Sequence, residues 1–463
     1  GVADYTVVQA EEGKPNGTFL LAKPSDNAKY KANVEMFAKS FDGNRNKAYA
    51  TWQYFGSPVK SADRNQLPLE TTWVRKYDRT LNVPNSDEKW TDVNNGTLAQ
   101  GQAYEISQPK PATYRFIGEL NTADFTFPVD GMASATNYQD MNILANPYTG
   151  AMSIDKLDFS GATAADKVVY LFNTGSRKDW IANSGPTTNG TTQGQYTKAI
   201  PANLAGHVAG MPNQIPSLSS FMVKSTAAGN LKYRYADLVT ATEENRAPQR
   251  HFHSLAVDVE SAKTADRLWL VQAEGTTDRY DNGWDGEKIF APGEAALYAM
   301  QDRSYQVTTT DAIGETKVGF VPGDGEQNYK LTFHIDGGDG TQQYTLLDKR
   351  TGLTRAIHDG DTYEFTATKG DAAHRFTILG NGAKATADQR GFQITADLRR
   401  NFTVKNFTDE PAEALVFDAA GKIQARFTVE PGSENTGTVV MPGAYVVRVS
   451  NKVTTLTQRF VMP

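Results

Sequence analysis

The sequence has no cysteine among its 463 residues. That absence excludes disulfides, thiolate metal sites and cysteine nucleophiles together. A eukaryotic secreted protein of this length usually carries disulfides, so an extracellular location points to a bacterium. No apolar run reaches the roughly 18 residues that a membrane-spanning helix needs. No signal peptide stands at the start, but Gly1 leads straight into folded-looking sequence, so this says nothing about export. The basic surplus that a nucleic-acid partner calls for is missing: Lys and Arg number 47 against 53 Asp and Glu, a net charge of −6. Catalytic signatures are missing as well. There is no G-x-S-x-G elbow, no H-E-x-x-H and no P-loop, and the six histidines propose no Ser-His-Asp set. Carboxylate pairs that hydrolyse glycosides need not be close in sequence, and nothing local marks one.

What is abundant points one way. Glycine (39), proline (20), tyrosine (20) and phenylalanine (22), with many Thr and Val, favour short strands and tight turns. Hydrophobic residues at 39% and charged residues at 22% allow sizeable cores, and the length suits about three domains. Apolar and polar residues alternate with period two. In Tyr329 to Ile335, the residues Tyr329, Leu331, Phe333 and Ile335 fall on one face, and Lys330, Thr332 and His334 on the other. The same pattern runs through Thr362 to Ala367, His253 to Val259 and Tyr445 to Val449, and glycine-rich turns such as Gly337 to Gly340 separate the runs. Helical stretches are short, with Asn33 to Phe41 the best candidate. The expected fold is all-β, several antiparallel β-sandwich-like domains in tandem.

Three regions are expected. Residues 1–247 form a β-rich region with many Trp, Tyr, Asn and Gly and long polar loops such as Ser184 to Gly194. A break at Thr242 to Pro248 leads to a β-sandwich domain over 248–387. The Gly- and Ala-rich stretch Gly380 to Ala387 then precedes a small sandwich over 388–463. In that last block Leu415 and Phe417 on one strand, and Tyr445, Val447 and Val449 on another, are expected to form the core. Sequons begin at Asn16, Asn95, Asn189, Asn401 and Asn406, and are read as turn composition rather than glycosylation.

Asn146-Pro147-Tyr148, followed by Ile154-Asp155, resembles an element of large surface proteins of Bacteroidetes. Trp52 to Pro58, Gly101 to Ile106, Ile215 to Lys224 and Asp266 to Lys288 are similar to further segments of that family, in the same order. The C-terminal block, through Val416-Phe417-Asp418, Gly421-Lys422 and Pro442 to Val449, resembles the sorting domain read by type IX secretion. It departs from that pattern at Lys422, where Arg is usual, and at the final Arg459 to Pro463, which is not Lys-rich. The resemblance implies a C-terminal portion of an adhesin-like protein, extracellular or on the outer cell surface and attached at the outer membrane. It implies binding or display without catalysis, and a host or extracellular protein or glycan as partner.

Three groups of residues could carry chemistry. Asp278, Asp281 and Asp285, with Glu287 beside them, are spaced so that their oxygens could wrap a calcium ion. The preferred alternative is a polar turn whose carboxylates accept backbone N–H groups or pair with Arg279 and Lys288. No other cofactor is expected. His251 and His253 share a strand face at a spacing zinc could use, but no third ligand is visible and the face continues into core residues. Trp52, Tyr54, Trp73, Tyr77, Trp90, Tyr104, Tyr138 and Tyr148 crowd the first region. Exposed, they could stack on sugars, which makes a carbohydrate-binding module the main alternative; buried, they fill a core, which is the preferred reading. Trp269 and Trp284 are read as structural. A hydrolase ranks behind both readings and would require a deep pocket with paired carboxylates or a Ser-His pair.

Overall fold

The computed structural model describes residues 6–11, 16–22, 29–40, 52–84, 86–132, 138–173, 195–240, 251–262, 264–291, 293–338, 340–380, 391–396, 400–408, 410–452 and 455–462. The loop from Ser184 to Gly194, the break at Thr242 to Pro248 and most of the stretch after Gly380 lie outside the described residues.

The protein is all-β. Strands follow one another along the chain, and the helical segments among the described residues are 3-10 turns of at most four residues. Of the stretch Asn33 to Phe41, expected as a helix, residues 33–38 belong instead to a strand, Lys31–Ala38, and Phe41 lies outside the described residues. Glu35, Met36 and Ala38 favour helices individually, but Ala32, Val34, Met36 and Ala38 alternate into the core, and tertiary pairing decides. This strand pairs antiparallel with Ala112–Glu119 and parallel with Thr6–Val8. The three-stranded sheet so formed shares a core with a four-stranded sheet ordered Gln53–Phe55, Tyr104–Ser107, Trp73–Tyr77, Trp90–Asp92.

A second four-stranded sheet, ordered Met141–Ala145, Ser220–Lys224, Val168–Asn173, Gln195–Pro201, forms the middle of the molecule. It packs with Tyr77 and Trp90 on one side. Its other neighbour is an eleven-stranded sheet spanning His253 to Gly380. That sheet curls until its ends meet: Phe365 on one end strand packs edge-on against Phe376 near the other, with ring centroids 5.0 Å apart. One continuous sheet therefore encloses its own core, which contains Leu255, Leu268, Leu297, Phe320, Phe333 and Ile378. One pair within it, Ala265–Gln272 with Ser304–Thr310, is parallel.

The strands His253–Glu260 and Ala265–Gln272 lie at the centre of the molecule. Leu255, Val257, Leu268 and Leu270 face the inside of the curled sheet. Ala256, Trp269 and Val271 face outward and pack with Phe127, Val169, Ile200 and Phe221 of the middle layers, so one core joins residues from both sides of position 247. His253–Glu260 is thus buried on both faces rather than on one, since a second layer covers the side expected to meet water.

The C-terminal block has a core of its own, drawn from residues 392–456. A three-stranded sheet, Phe392–Ala396, Asn401–Asn406 and Glu434–Thr438, faces a four-stranded one ordered Ile423–Val429, Ala412–Asp418, Gly443–Ser450, Thr455–Met462. Tyr445, Val447 and Val449 point inward as expected. Leu415 and Phe417 do not. The inward residues of their strand are Ala412, Ala414 and Val416, and Leu415 and Phe417 stand half-buried on the outer face.

Candidate functional site

The acidic loop is tied down by its own backbone. Asp285 is fully buried and accepts the N–H groups of Asp281 and Thr309, both at 2.7 Å, fastening the loop to strand Ser304–Thr310. Burial pushes its carboxyl up to about 7 against these two donors. Asp281 accepts from the N–H and hydroxyl of Thr277 at 2.6 and 3.0 Å. Asp278 is exposed. Glu287 bridges Lys224 at 2.8 Å and Arg303 at 2.7 Å; burial raises its carboxyl, and the two cations outweigh burial and hold it below the usual range. Gly283, at φ +90°, lets the loop lie against the middle layers, where Asn282 accepts the N–H of Lys167 and donates to the carbonyl of Ala165. Asp281 and Asp285 therefore meet in one turn. No group of three or more His, Asp or Glu among the described residues is placed to hold a metal ion.

The ring of His253 is engaged at both nitrogens. Nδ1 faces the carbonyls of Asp336 and Gly337 at 3.0 and 3.2 Å, and Nε2 meets the Tyr344 hydroxyl at 2.5 Å. His251 pairs with Asp336 at 3.1 Å. Lys288 reaches Asp266 at 2.5 Å with both side chains buried, and Asp266 also accepts the N–H of Leu297 at 2.7 Å. That buried pair explains how an acidic residue stands buried near the start of strand Ala265–Gln272. Its charge is matched where it stands.

The aromatics of the first region pack against one another. Tyr54 stacks on Phe172 and contacts Trp90, which Tyr77 meets edge-on. Trp52 stacks on Trp73, and the guanidinium of Arg75 lies 4.0 Å from the Trp52 ring centroid. Arg75 also pairs with Glu105, whose carboxyl burial pushes up to about 8 against the pull of Arg75. Tyr104 and Tyr148 are buried, as is Trp269, and Trp284 packs edge-on against Phe252. Among the described residues the exposed aromatics are Tyr138 and Phe290, so the aromatics in view form no row on a free face.

Four family-like segments meet at one place. Asn146 donates from Nδ2 to the carbonyls of Gly150, Ile215 and Pro216 and accepts the N–H of Tyr148. The Tyr148 hydroxyl donates to the Ala123 carbonyl, and Ser217 donates to the carbonyl of Tyr148. Gly56 donates its N–H to Leu218 and sits so close to Ala145 that a Cβ there would lie 2.3 Å from the Ala145 Cβ. Gly101, at φ +73°, accepts the N–H of Ala145. The segments at Trp52, Gly101, Asn146 and Ile215 thus form one junction that welds the first sheets to the middle layer. Sequence reading found the segments, but their convergence needed the fold.

An exposed apolar and basic face lies on the outside of the C-terminal four-stranded sheet, which sequence reading missed. Register places Ile423, Phe417, Val446 and Arg459 in one row across the strands, and Arg426, Leu415, Arg448 and Thr457 in the next. Val461 at the edge is 84% exposed, and Val440 and Met441, before strand Gly443–Ser450, are 82% and 67% exposed. Arg448 and Arg459 are exposed on neighbouring strands, and Arg426 lies 3.6 Å from Glu413. The combination of apolar side chains with arginines on a free sheet face is the composition of a contact surface.

The architecture defines an all-β protein whose recognisable segments build packing junctions and whose free chemistry sits on sheet faces. The chain belongs to the family described as a domain of unknown function (DUF8693), whose model matches residues 26–379. It is also similar to the minor fimbrium subunit Mfa5 of Porphyromonas gingivalis, with 30% identity over 98% of this chain. The chain spans 38% of that relative's length. Among solved structures, a biofilm-associated protein BSP domain aligns over 95% of this chain and 97% of its own at 9% identity and a TM-score of 0.14. A Faecalibacterium prausnitzii β-glucuronidase aligns over 29% of this chain and 37% of its own at 12% identity and a TM-score of 0.15. At these scores neither structure carries an argument about this chain.

Proposed function

We propose that the protein is a secreted or cell-surface, adhesin-like component of a Bacteroidetes-type bacterium, which binds or displays without catalysis. The observation that carries this reading is the relationship to a fimbrium subunit along nearly the whole chain. The curled sheet and the junction around Asn146 act as a rigid stem. The division into 1–247, 248–387 and a sorting-domain-like block over 388–463 belongs to the same reading; the block's separate core supports the last boundary, and the core shared across position 247 joins the first two regions into one body. The outer face of that block is the binding surface. Its arginines favour a protein partner with an acidic face, reached by electrostatic steering and held by Phe417, Val446 and Val461. A glycan partner is less favoured, because the aromatics in view are packed in cores. Antibody labelling of intact cells of the source bacterium tests the location. Labelling without permeabilisation is expected; signal only after lysis contradicts the proposal.

A further inference from the structure

A lysine and an aspartate meet inside the curled sheet. Asp266 lies on strand Ala265–Gln272, on the inward side with Leu268 and Leu270, and opposite Val259 of the neighbouring strand. Lys288 follows the short strand Gly286–Glu287 and donates its backbone N–H to the carbonyl of Ser304. Both side chains are only 1% exposed. Lys288 Nζ meets both carboxylate oxygens of Asp266, Oδ1 at 2.5 Å. The Leu297 N–H, on strand Ala296–Met300, donates to Oδ2 at 2.7 Å, and the Leu297 side chain belongs to the same apolar core.

Two charges held in such a core carry a desolvation cost that their attraction offsets only in part. Joining the two groups as an amide removes both charges. Other buried pairs, Arg375 with Asp348 and Arg75 with Glu105, use guanidinium groups, which keep their protons and are not nucleophiles. A lysine amine can release its proton and attack a carbonyl carbon.

We propose that Lys288 and Asp266 condense to an intramolecular isopeptide bond, a covalent cross-link inside the curled sheet. A proton passes from the Lys288 ammonium to Asp266 Oδ1, which leaves a neutral amine and a carboxylic acid. The Nζ lone pair adds to Asp266 Cγ, and the Leu297 N–H holds the charge that develops on Oδ2, as an oxyanion-hole donor does. Oδ1 then takes a second proton from Nζ and leaves as water, while Oδ2 returns to a carbonyl that still accepts from Leu297. One C–N bond forms, one C–O bond breaks, and nothing is oxidised or reduced. The burial that excludes water from the pair also protects the amide from hydrolysis. The bond closes a ring of chain around the acidic loop, so a pull along the chain passes through the amide and bypasses that loop.

The test is the intact mass of the purified full chain, followed by tryptic digestion of the denatured protein. A mass about 18 Da below that of the sequence is expected, for the one water lost. The digest should contain a branched peptide in which residues 264–267 are joined to residues 280–303, because trypsin does not cut after an acylated lysine. Lys288→Arg keeps a cation beside Asp266 but cannot condense, so its mass should equal that of its own sequence. A wild-type mass equal to that of the sequence would overturn the proposal. So would the same loss without the branched peptide, as a succinimide at an Asp-Gly pair gives, or a loss that persists in Lys288→Arg.

Discussion

At the residue scale, Asp281 and Asp285 of the acidic loop act on the backbone. Asp285 is the sharpest case, buried with both oxygens accepting N–H groups. Its folded-state value of about 7 lies above the unfolded value, so folding takes up a proton. Its contribution to stability is fully present below the unfolded value of about 3.9 and is lost as pH rises through about 7. Asp285→Asn should remove that trend: the melting temperature of wild type minus variant falls between pH 4 and pH 7.5 (pH values approximate). A constant difference contradicts the assignment. Calcium provides a second check on the same loop. Because Asp281 and Asp285 already serve Thr277, Asp281 and Thr309, added Ca²⁺ should leave the melting temperature unchanged. A calcium-dependent rise that Asp281→Ala abolishes would replace the turn with a metal site.

At the element scale, strands with one wet face were legible and strands with two apolar faces were not. Tyr329, Leu331 and Phe333 point inward because Lys330, Thr332 and His334 leave no other choice. On strand Ala412–Asp418 the larger residues Leu415 and Phe417 suggested the core face, yet the core takes Ala412, Ala414 and Val416. A period of two fixes the alternation but not which side is inside, and a one-residue shift exchanges the faces. The same limit hid the exposed outer face of that sheet, since its apolar members looked like core. Paired substitutions test the corrected register. Tyr445→Ala removes a buried ring that packs on Phe402 and donates to the Met441 carbonyl, and should cost about 3–5 kcal/mol. Phe417→Ala on the outer face should cost about 1 kcal/mol in chemical denaturation. Equal costs would restore the other face to the core.

At the scale of the whole molecule, the segments at Trp52, Gly101, Asn146 and Ile215 were legible as pieces, and so was the all-β class. Their junction was not, because it depends on contacts between positions as distant as Asn146 and Pro216. The shared core of Phe127, Trp269 and Val307 joins the middle layers to the curled sheet, so these should unfold together. The C-terminal block, with its own core, should unfold separately. Calorimetry is expected to resolve two transitions, and limited proteolysis should cut the Gly- and Ala-rich stretch between 380 and 387 to release a stable larger fragment. One cooperative transition with no cleavage there contradicts the separate block. The proposed function requires binding through an exposed face rather than a reaction centre. A screen of the purified chain against extracellular-matrix proteins and glycans tests it most directly, with an Arg448→Glu, Arg459→Glu variant alongside. Saturable binding to a protein ligand is expected, weakened by about tenfold or more (~1.4 kcal/mol) by the charge reversals. Binding that the variant retains in full, or turnover of a glycan in place of binding, would contradict it.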